Sequence, residues 1–308
     1  VDAPAPVEPI ALPAPVVSFA IEAKSKGDED KVHASLRRLQ EEDPSLDVHR
    51  DEETGETIVG GLSQMHVETV LDRMQRRFGV DVELHPPRVP YRETIRKAAR
   101  AHGRHKKQTG GRGQFGDCHI EIEPLDGHDG YEFVDKIVGG VIPQGFRPAV
   151  DKGIQEAMQK GELVGAPVVG VRVRLVDGSY HNVDSSEMAF KIAGSLAFKQ
   201  AVSDADPVLL EPIMRLDITV PDENVGDVIG DMSSRRGRVL GMDPGPGATI
   251  VHVEVPMAEV LGYAPDLTSM TGGRGDYAMQ FLRYEEVPAH AAQAVIAAAQ
   301  RNREMVKA

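Results

Sequence analysis

A chain of 308 residues, 41% of them hydrophobic and 27% charged, is long enough for two or three domains with their own cores. Its single cysteine, Cys118, excludes an internal disulfide and fits a reducing compartment such as the cytoplasm, and no apolar run approaches the ~18 residues of a membrane span. The formal net charge of −13 at pH 7 excludes a surface coated with nucleic-acid-binding cations, yet residues 92–112 set eight Lys/Arg against one acid.

Residues 1–15 carry five prolines and read as an extended linker. The chain does not open on Met and has no basic segment before an apolar core, so residue 1 is expected to be a cut, with no secretory signal. From Val16 the pattern becomes regular. "VVSFAIEA" predicts a strand, and residues 28–42 a helix with Val32, Leu36 and Leu39 on one face. Short strands follow near 45–50 and 56–61. A helix over 63–78 starts at the N-cap Ser63, aligns Val67, Val70, Leu71, Met74 and Phe78, and stops at Gly79 before the strand "VDVEL". His66, within that helix, reads as a packed, hydrogen-bonded residue. The order is βαββαβ, a ferredoxin-like split-βαβ plait.

The middle segment, 92–208, predicts strands near 117–124 and 131–138, a helix over 148–160, the strand "PVVGVRVRLVDG" and a long helix from Ser185 to about Ala205. Residues 104–116 and 178–184 read as irregular polar loops, and Cys118 as a half-buried strand residue. Residues 209–302 repeat the plait without repeating its sequence: a strand "PIMRLDITV", a helix 224–235, two strands about a Pro/Gly turn, a helical stretch near 256–262, and the strand "YAMQFLRY". A tail helix then carries Ala292, Val295, Ile296 and Ala299.

The glycine-rich stretch "HGRHKKQTGGRGQFG" poses the main choice of chemistry. A nucleotide cradle of the Gly-x4-Gly-Lys-Ser/Thr kind is absent, and a strand rather than a helix follows these glycines. An RNA contact suits the residues better. Lys106, Lys107 and Arg112 can neutralise phosphates, Gly110, Gly111 and Gly113 allow close backbone approach, and Phe115 can stack on a base. A solvated surface loop is the alternative from composition alone. His181 and Asp184 in "DGSYHNVDSSEMAF" suggest a catalytic relay, but Asp184, Ser185 and Glu187 also have the spacing of a helix start, and no second His or Cys nearby completes a metal site. Arg235, Arg236 and Arg238 cluster at a helix C-terminus, where they complement its dipole or contact phosphate.

Taken together, "HKKQTGGRGQFG", "GYEFVDKIVGGVIPQGFRPAVDKGI", "DGSYHNVDSSEMAFKIAGSLAFK", "LLEPIMRLDITVPDENVGDVIGDMSSRRGRVLGM" and "YAPDLTSMTGGRGDY" closely resemble bacterial elongation factor G. The resemblance runs from about Val16 to about Ile296 and covers the C-terminal three of that family's five domains. It implies an α+β architecture: residues 16–91 as the third domain, 92–208 as the fourth, and 209–308 as the fifth. The outer two would be plaits. The middle one would be a ribosomal-protein-like domain with a left-handed βαβ crossover, forming an arm that enters the A site.

The resemblance further implies a translational GTPase that moves tRNA and mRNA on the ribosome, with GTP and Mg held by a domain upstream of residue 1 and no catalysis in this chain. Implied partners are the small-subunit decoding centre, the large-subunit stalk base and sarcin–ricin loop, tRNA and mRNA, met as a monomer. The family's tip loops fall on Gln108, Thr109, Gly110, Gly111, Arg112, Gly113 and Gln114, and on Ser179, Tyr180, His181, Asn182, Val183 and Asp184. His181 matches the tip histidine used against the tRNA–mRNA duplex. Departures occur at "GLSQMH", where Ser63 and Gln64 replace Gly and Glu, at Asn182 for the commoner Asp, and at "TGGRGDY". They suggest a diverged second copy and leave recycling and ribosome protection as alternative tasks. A small hydrolase using His181 and Asp184 is the rival from another class.

Overall fold

The computed structural model describes residues 15, 17–25, 27–51, 54–108, 113–125 and 130–307, with side chains to Arg301. The proline-rich linker therefore lies almost wholly outside the described residues. The described residues form two compact units, those up to Pro90 with Ile213–Arg283, and Tyr91–Pro212 with those from Tyr284 on.

In chain order the first unit opens with β1 (Val17–Ala23), α1 (Glu29–Glu42), β2 (Asp47–Arg50), β3 (Thr57–Gly61), α2 (Gln64–Phe78) and β4 (Val82–His85). The sheet order is β2-β3-β1-β4, and β1 runs antiparallel to both neighbours. Each helix thus crosses over one intervening strand, as the split-βαβ reading requires. Val32, Leu36 and Leu39 of α1 and Val67, Val70 and Met74 of α2 are buried in one cluster with Ile21 and Val59. The Ser63 hydroxyl accepts from the His66 N–H at 3.1 Å, capping α2 as predicted. The His66 ring is held on both sides: Nδ1 accepts from the Leu62 N–H at 3.1 Å, and Nε2 lies 3.0 Å from Asp43 Oδ2.

The second unit contains β5 (Arg92–Ile95), β6 (Ala99–Lys107), β7 (Gln114–Pro124), β8 (Tyr131–Asp135), α3 (Arg147–Met158), β9 (Val171–Ser179) and α4 (Glu187–Asp204). Its sheet has the order β6-β7-β9-β8, with β8 and β9 parallel and joined through α3. The described residues of the stretch 104–116 are therefore mostly strand and not an irregular loop. Residues 104–107 and 114–116 are the facing ends of β6 and β7, which pair from Ala99↔Ile122 out to Lys107↔Gln114. The strand signal was weak because the residues of β6 turned to the helices are Ala101 and Gly103, not β-branched side chains.

Small residues are required there because α4 lies close above. A Cβ on Gly103 would stand 2.0 Å from the Ala193 carbonyl oxygen, and one on Gly116 would stand 2.4 Å from that of Ala189. Beneath the helices Ile120, Ile122, Val173, Leu175, Phe190 and Phe198 fill a second core. The helix α4 is buried over two faces, which explains its alanine-rich composition. Its cap is Ser186, whose hydroxyl accepts from the Ala189 N–H at 3.3 Å, rather than Asp184 or Ser185.

The remaining elements are β10 (Pro207–Val220), α5 (Val225–Ser234), β11 (Arg238–Gly245), β12 (Ala248–Pro256), α6 (Tyr263–Thr271), β13 (Asp276–Glu286) and α7 (Ala289–Lys307). The order β11-β12-β10-β13 repeats that of the first plait, and the first residues of β10 pair with β5. Leu216, Ile218, Val228, Met232, Val251, Val253 and Tyr263 form the third core. The helix expected near 256–262 lies instead at 263–271, after a single 3-10 turn at 257–259. Pro265 sits in its first turn, where a missing N–H has no intrahelical partner to lose. Among the described residues no helix is long and apolar enough to cross a membrane.

Candidate nucleic-acid interface

The start of β7 and the β9–α4 connection are distant in sequence but meet at one end of the middle sheet. The Phe115 N–H donates to the Asp184 carbonyl at 2.8 Å. The Ser185 hydroxyl donates to the Phe115 carbonyl at 3.0 Å and accepts from the His181 N–H at 2.9 Å. Gly113 packs so near Asp184 that a Cβ would reach its carboxylate at 2.8 Å. These contacts strap the C-terminal end of the first predicted tip loop, at Gly113 and Phe115, to the second. Thr109, Gly110, Gly111 and Arg112 lie outside the described residues.

His181 is 57% exposed, and its Nδ1 accepts from the Val183 and Asp184 N–H groups at 3.3 and 3.2 Å. A nitrogen that accepts these bonds is unprotonated, so it cannot also donate to the Asp184 carboxylate 3.4 Å away. The hydrogen-bonded His–Asp relay of a hydrolase is not formed, and the ring proton is left on Nε2. The Phe115 and His181 ring centroids are 6.5 Å apart, with the Arg104 guanidinium 5.6 Å over Phe115. Tyr180, Asn182 and Val183 are exposed around them. Gln114 accepts from His105 Nε2 at 2.9 Å, and the Ser179 hydroxyl donates to Asp117 at 2.8 Å, steadying the base of each loop. The end of the sheet thus offers a cation, two rings and several amide and hydroxyl groups, which suits stacking and hydrogen bonding more than bond cleavage.

The charge of the basic stretch is partly consumed within its own unit. Arg96 pairs with Glu286, Lys97 with Asp206 at 3.4 Å, and Arg100 with Glu121 at 2.6 Å, while Arg92 lies 4.2 Å over the Tyr284 ring. Lys106 and Lys107, exposed at the end of β6, have no ion pair among the described residues. The cationic surface is therefore concentrated at the strapped loops.

The other arginine cluster is organised differently. Arg235 binds Asp231 at 2.8 Å, Asp266 at 2.5 Å and the Glu259 carbonyl at 2.9 Å, and stacks over Tyr263. Arg236 pairs with Glu259 at 2.8 Å and Arg238 with Glu254 at 3.0 Å. All three are held by acids of the same unit. Cys118 is fully buried on β7, and burial pushes its thiol up to about 12, which removes it as a nucleophile.

Glu93 has no counterpart in the sequence-based expectations. It is fully buried, and its carboxylate accepts from the Leu163, Val164 and Gly165 N–H groups at 2.9, 2.8 and 3.0 Å. It fixes the loop that returns from α3 to β9. No local sequence signal marks it, because its three donors are about seventy residues away.

Three family models match successive segments of the chain. Residues 12–86 match elongation factor G domain III, residues 87–206 match elongation factor G domain IV, and residues 208–295 match the elongation factor G C-terminus. Among solved structures, one from Thermus thermophilus is similar, with 48% sequence identity and a TM-score of 0.82 over 94% of this chain. The match covers 44% of that protein's chain, so this chain spans less than half its length.

Proposed function

The chain belongs to the elongation factor G family, and from that premise we propose that it is the ribosome-contacting part of a translocase-type GTPase. In this reading residues 16–91, 92–208 and 209–308 are the third, fourth and fifth domains, and the fourth presents its strapped loops to the tRNA–mRNA duplex in the decoding centre. The fifth faces the stalk base and the sarcin–ricin loop of the large subunit. GTP and Mg belong to a domain outside these residues. The glycine stretch of this chain opens directly into β7 and lacks the cradle pattern, so no residue here is assigned to the nucleotide.

The observation that carries the reading is the strap between Phe115, Asp184 and Ser185. It brings a half-exposed His181, an aromatic ring and the Lys106–Lys107 pair to one end of a rigid sheet. The work of such an arm is steric: once GTP hydrolysis elsewhere has changed interdomain angles, the loops hold the advanced duplex through stacking, hydrogen bonds and phosphate contacts.

The test is His181→Ala in the complete factor that carries this segment. Single-round translocation is expected to slow by roughly tenfold or more, the size of losing a stacking and hydrogen-bonding contact of ~1–3 kcal/mol, while ribosome-stimulated GTP hydrolysis stays near its original rate. Equal loss of both activities would overturn the assignment of the tip.

A further inference from the structure

On the open face of the middle sheet, away from the helices, the geometry points to a site for a divalent transition-metal ion, Zn²⁺ by its donor set, held by His102, Asp117 and His119. The site is independent of the translocation reading. His102 and His119 stand directly opposite each other in the β6–β7 register, and their rings are parallel to within 3° with centroids 4.1 Å apart. Asp117 lies two residues before His119, hence on the same face, with Oδ1 2.6 Å from His102 Nε2. One donor atom from each of the three lies within 4.8 Å of the others. Ligands sharing a zinc ion at about 2.0–2.2 Å stand roughly 3.3 Å apart. The 2.6 Å His102–Asp117 pair must therefore open slightly, and the wider separations must close by up to about 1.5 Å. The stacked rings must tilt until their in-plane lone pairs converge.

The surroundings favour a cation of this kind. Two imidazoles and one carboxylate suit zinc, iron, copper or nickel better than magnesium and calcium, which prefer all-oxygen sets, and zinc is the redox-inert member of that group. The second carboxylate oxygen of Asp117 accepts from the Ser179 hydroxyl at 2.8 Å, which orients the first toward His102. A cleft of about 330 Å³ adjoins the histidines and leaves room for water at the remaining coordination positions. Asp177 and Glu121 also line it, and the one cation there, Arg100, is paired with Glu121 at 2.6 Å. The same acids make the cleft a poor home for phosphate. Coordination through His102 Nε2 would replace its hydrogen bond to Asp117, the ring proton sitting on Nδ1 of the neutral imidazole, with no other bond made or broken beyond coordination. Because Ser179 leads into the second tip loop, an ion here would brace the base of the tip.

Zn²⁺ titration of the chelator-treated chain by calorimetry tests this, with Co²⁺ absorption reporting the ligand field. One saturable equivalent is expected, and excess Mg²⁺ should not displace it. His102→Ala and His119→Ala should each weaken binding by roughly tenfold or more, and Ser179→Ala by about tenfold through the carboxylate it orients. His252→Ala, which removes a different His–Asp cluster, should leave this affinity unchanged. Circular dichroism and the more conservative His119→Gln separate loss of a ligand from loss of fold. Undiminished affinity in the folded His102 and His119 variants, or no saturable binding up to about 100 μM Zn²⁺, would overturn the proposal.

Discussion

Single residues in this protein take their meaning from partners that the chain supplies from far away. Glu93 is a charged residue with no exposed surface, tolerable because three backbone N–H groups converge on it. His252 shows the same principle in a titratable form. Its Nδ1 lies 2.6 Å from Asp217 and its Nε2 3.0 Å from Asp243, with Arg215 beside Asp217 at 3.4 Å. The Asp217 hydrogen bond, then that of Asp243, holds the imidazole above its ordinary 6.5, and the bond to His252 holds Asp217 below its ordinary 3.8. A raised histidine stabilises the fold fully below its unfolded value and loses that contribution as pH rises through the folded one. A lowered aspartate contributes above its unfolded value and loses it as pH falls through the folded one. The cluster therefore contributes most between the two ordinary values. His252→Asn is expected to cost more stability at about pH 6 than at about pH 8.5 in urea unfolding. An equal cost at both would mean that the imidazolium is not what the acids hold.

Secondary-structure elements are governed by how closely their backbones approach. The helix α4 touches β6 and β7 through glycines, whereas α5 presents an exposed glycine, Gly230, with nothing within 4 Å of where a Cβ would stand. The same kind of substitution should then have opposite signs. Gly103→Ala, aimed at a carbonyl 2.0 Å away, must displace α4 and is expected to cost about 1–3 kcal/mol or more. Gly230→Ala, inside a helix with no positive φ, is expected to stabilise by about 0.5–1 kcal/mol. Urea midpoints of the two variants check this, and a common sign would show that propensity rather than contact sets the cost. The β6–β7 pair also shows where strand reading fails. Alternation survives in "ARAHGRHKK", but with alanine and glycine on the packed side, so the usual β-branched signal is missing and Lys106 sits on a strand rather than in a loop.

At the scale of the whole molecule, net charge describes solubility better than it describes binding. The chain is −13 overall, and several cations of its one basic stretch are spent on internal acids. The cations left to meet a polyanion are therefore local. In ribosome binding across a salt series, Lys106→Ala with Lys107→Ala is expected to weaken affinity and lower the slope of log K against log salt by about 1 to 2. Arg96→Ala, which removes the partner of Glu286, should leave that slope nearly unchanged. The reverse ranking would mean that the basic stretch acts as a diffuse field and not through the tip.

The sequence by itself determined the two plaits, the caps at Ser63 and Gly79, the packed state of His66 and the family. These rest on periodicity, turn chemistry and strings of matching residues, all readable within a few turns of the chain. Only tertiary structure decided which loop residues meet, that His181 accepts through Nδ1 instead of feeding Asp184, that Arg235 is committed to Asp231 and Asp266, and that His102 stacks on His119. Each of these depends on strand register or on contacts between residues tens of positions apart. A one-residue change of register would send every such side chain to the opposite face, and no local pattern records that choice.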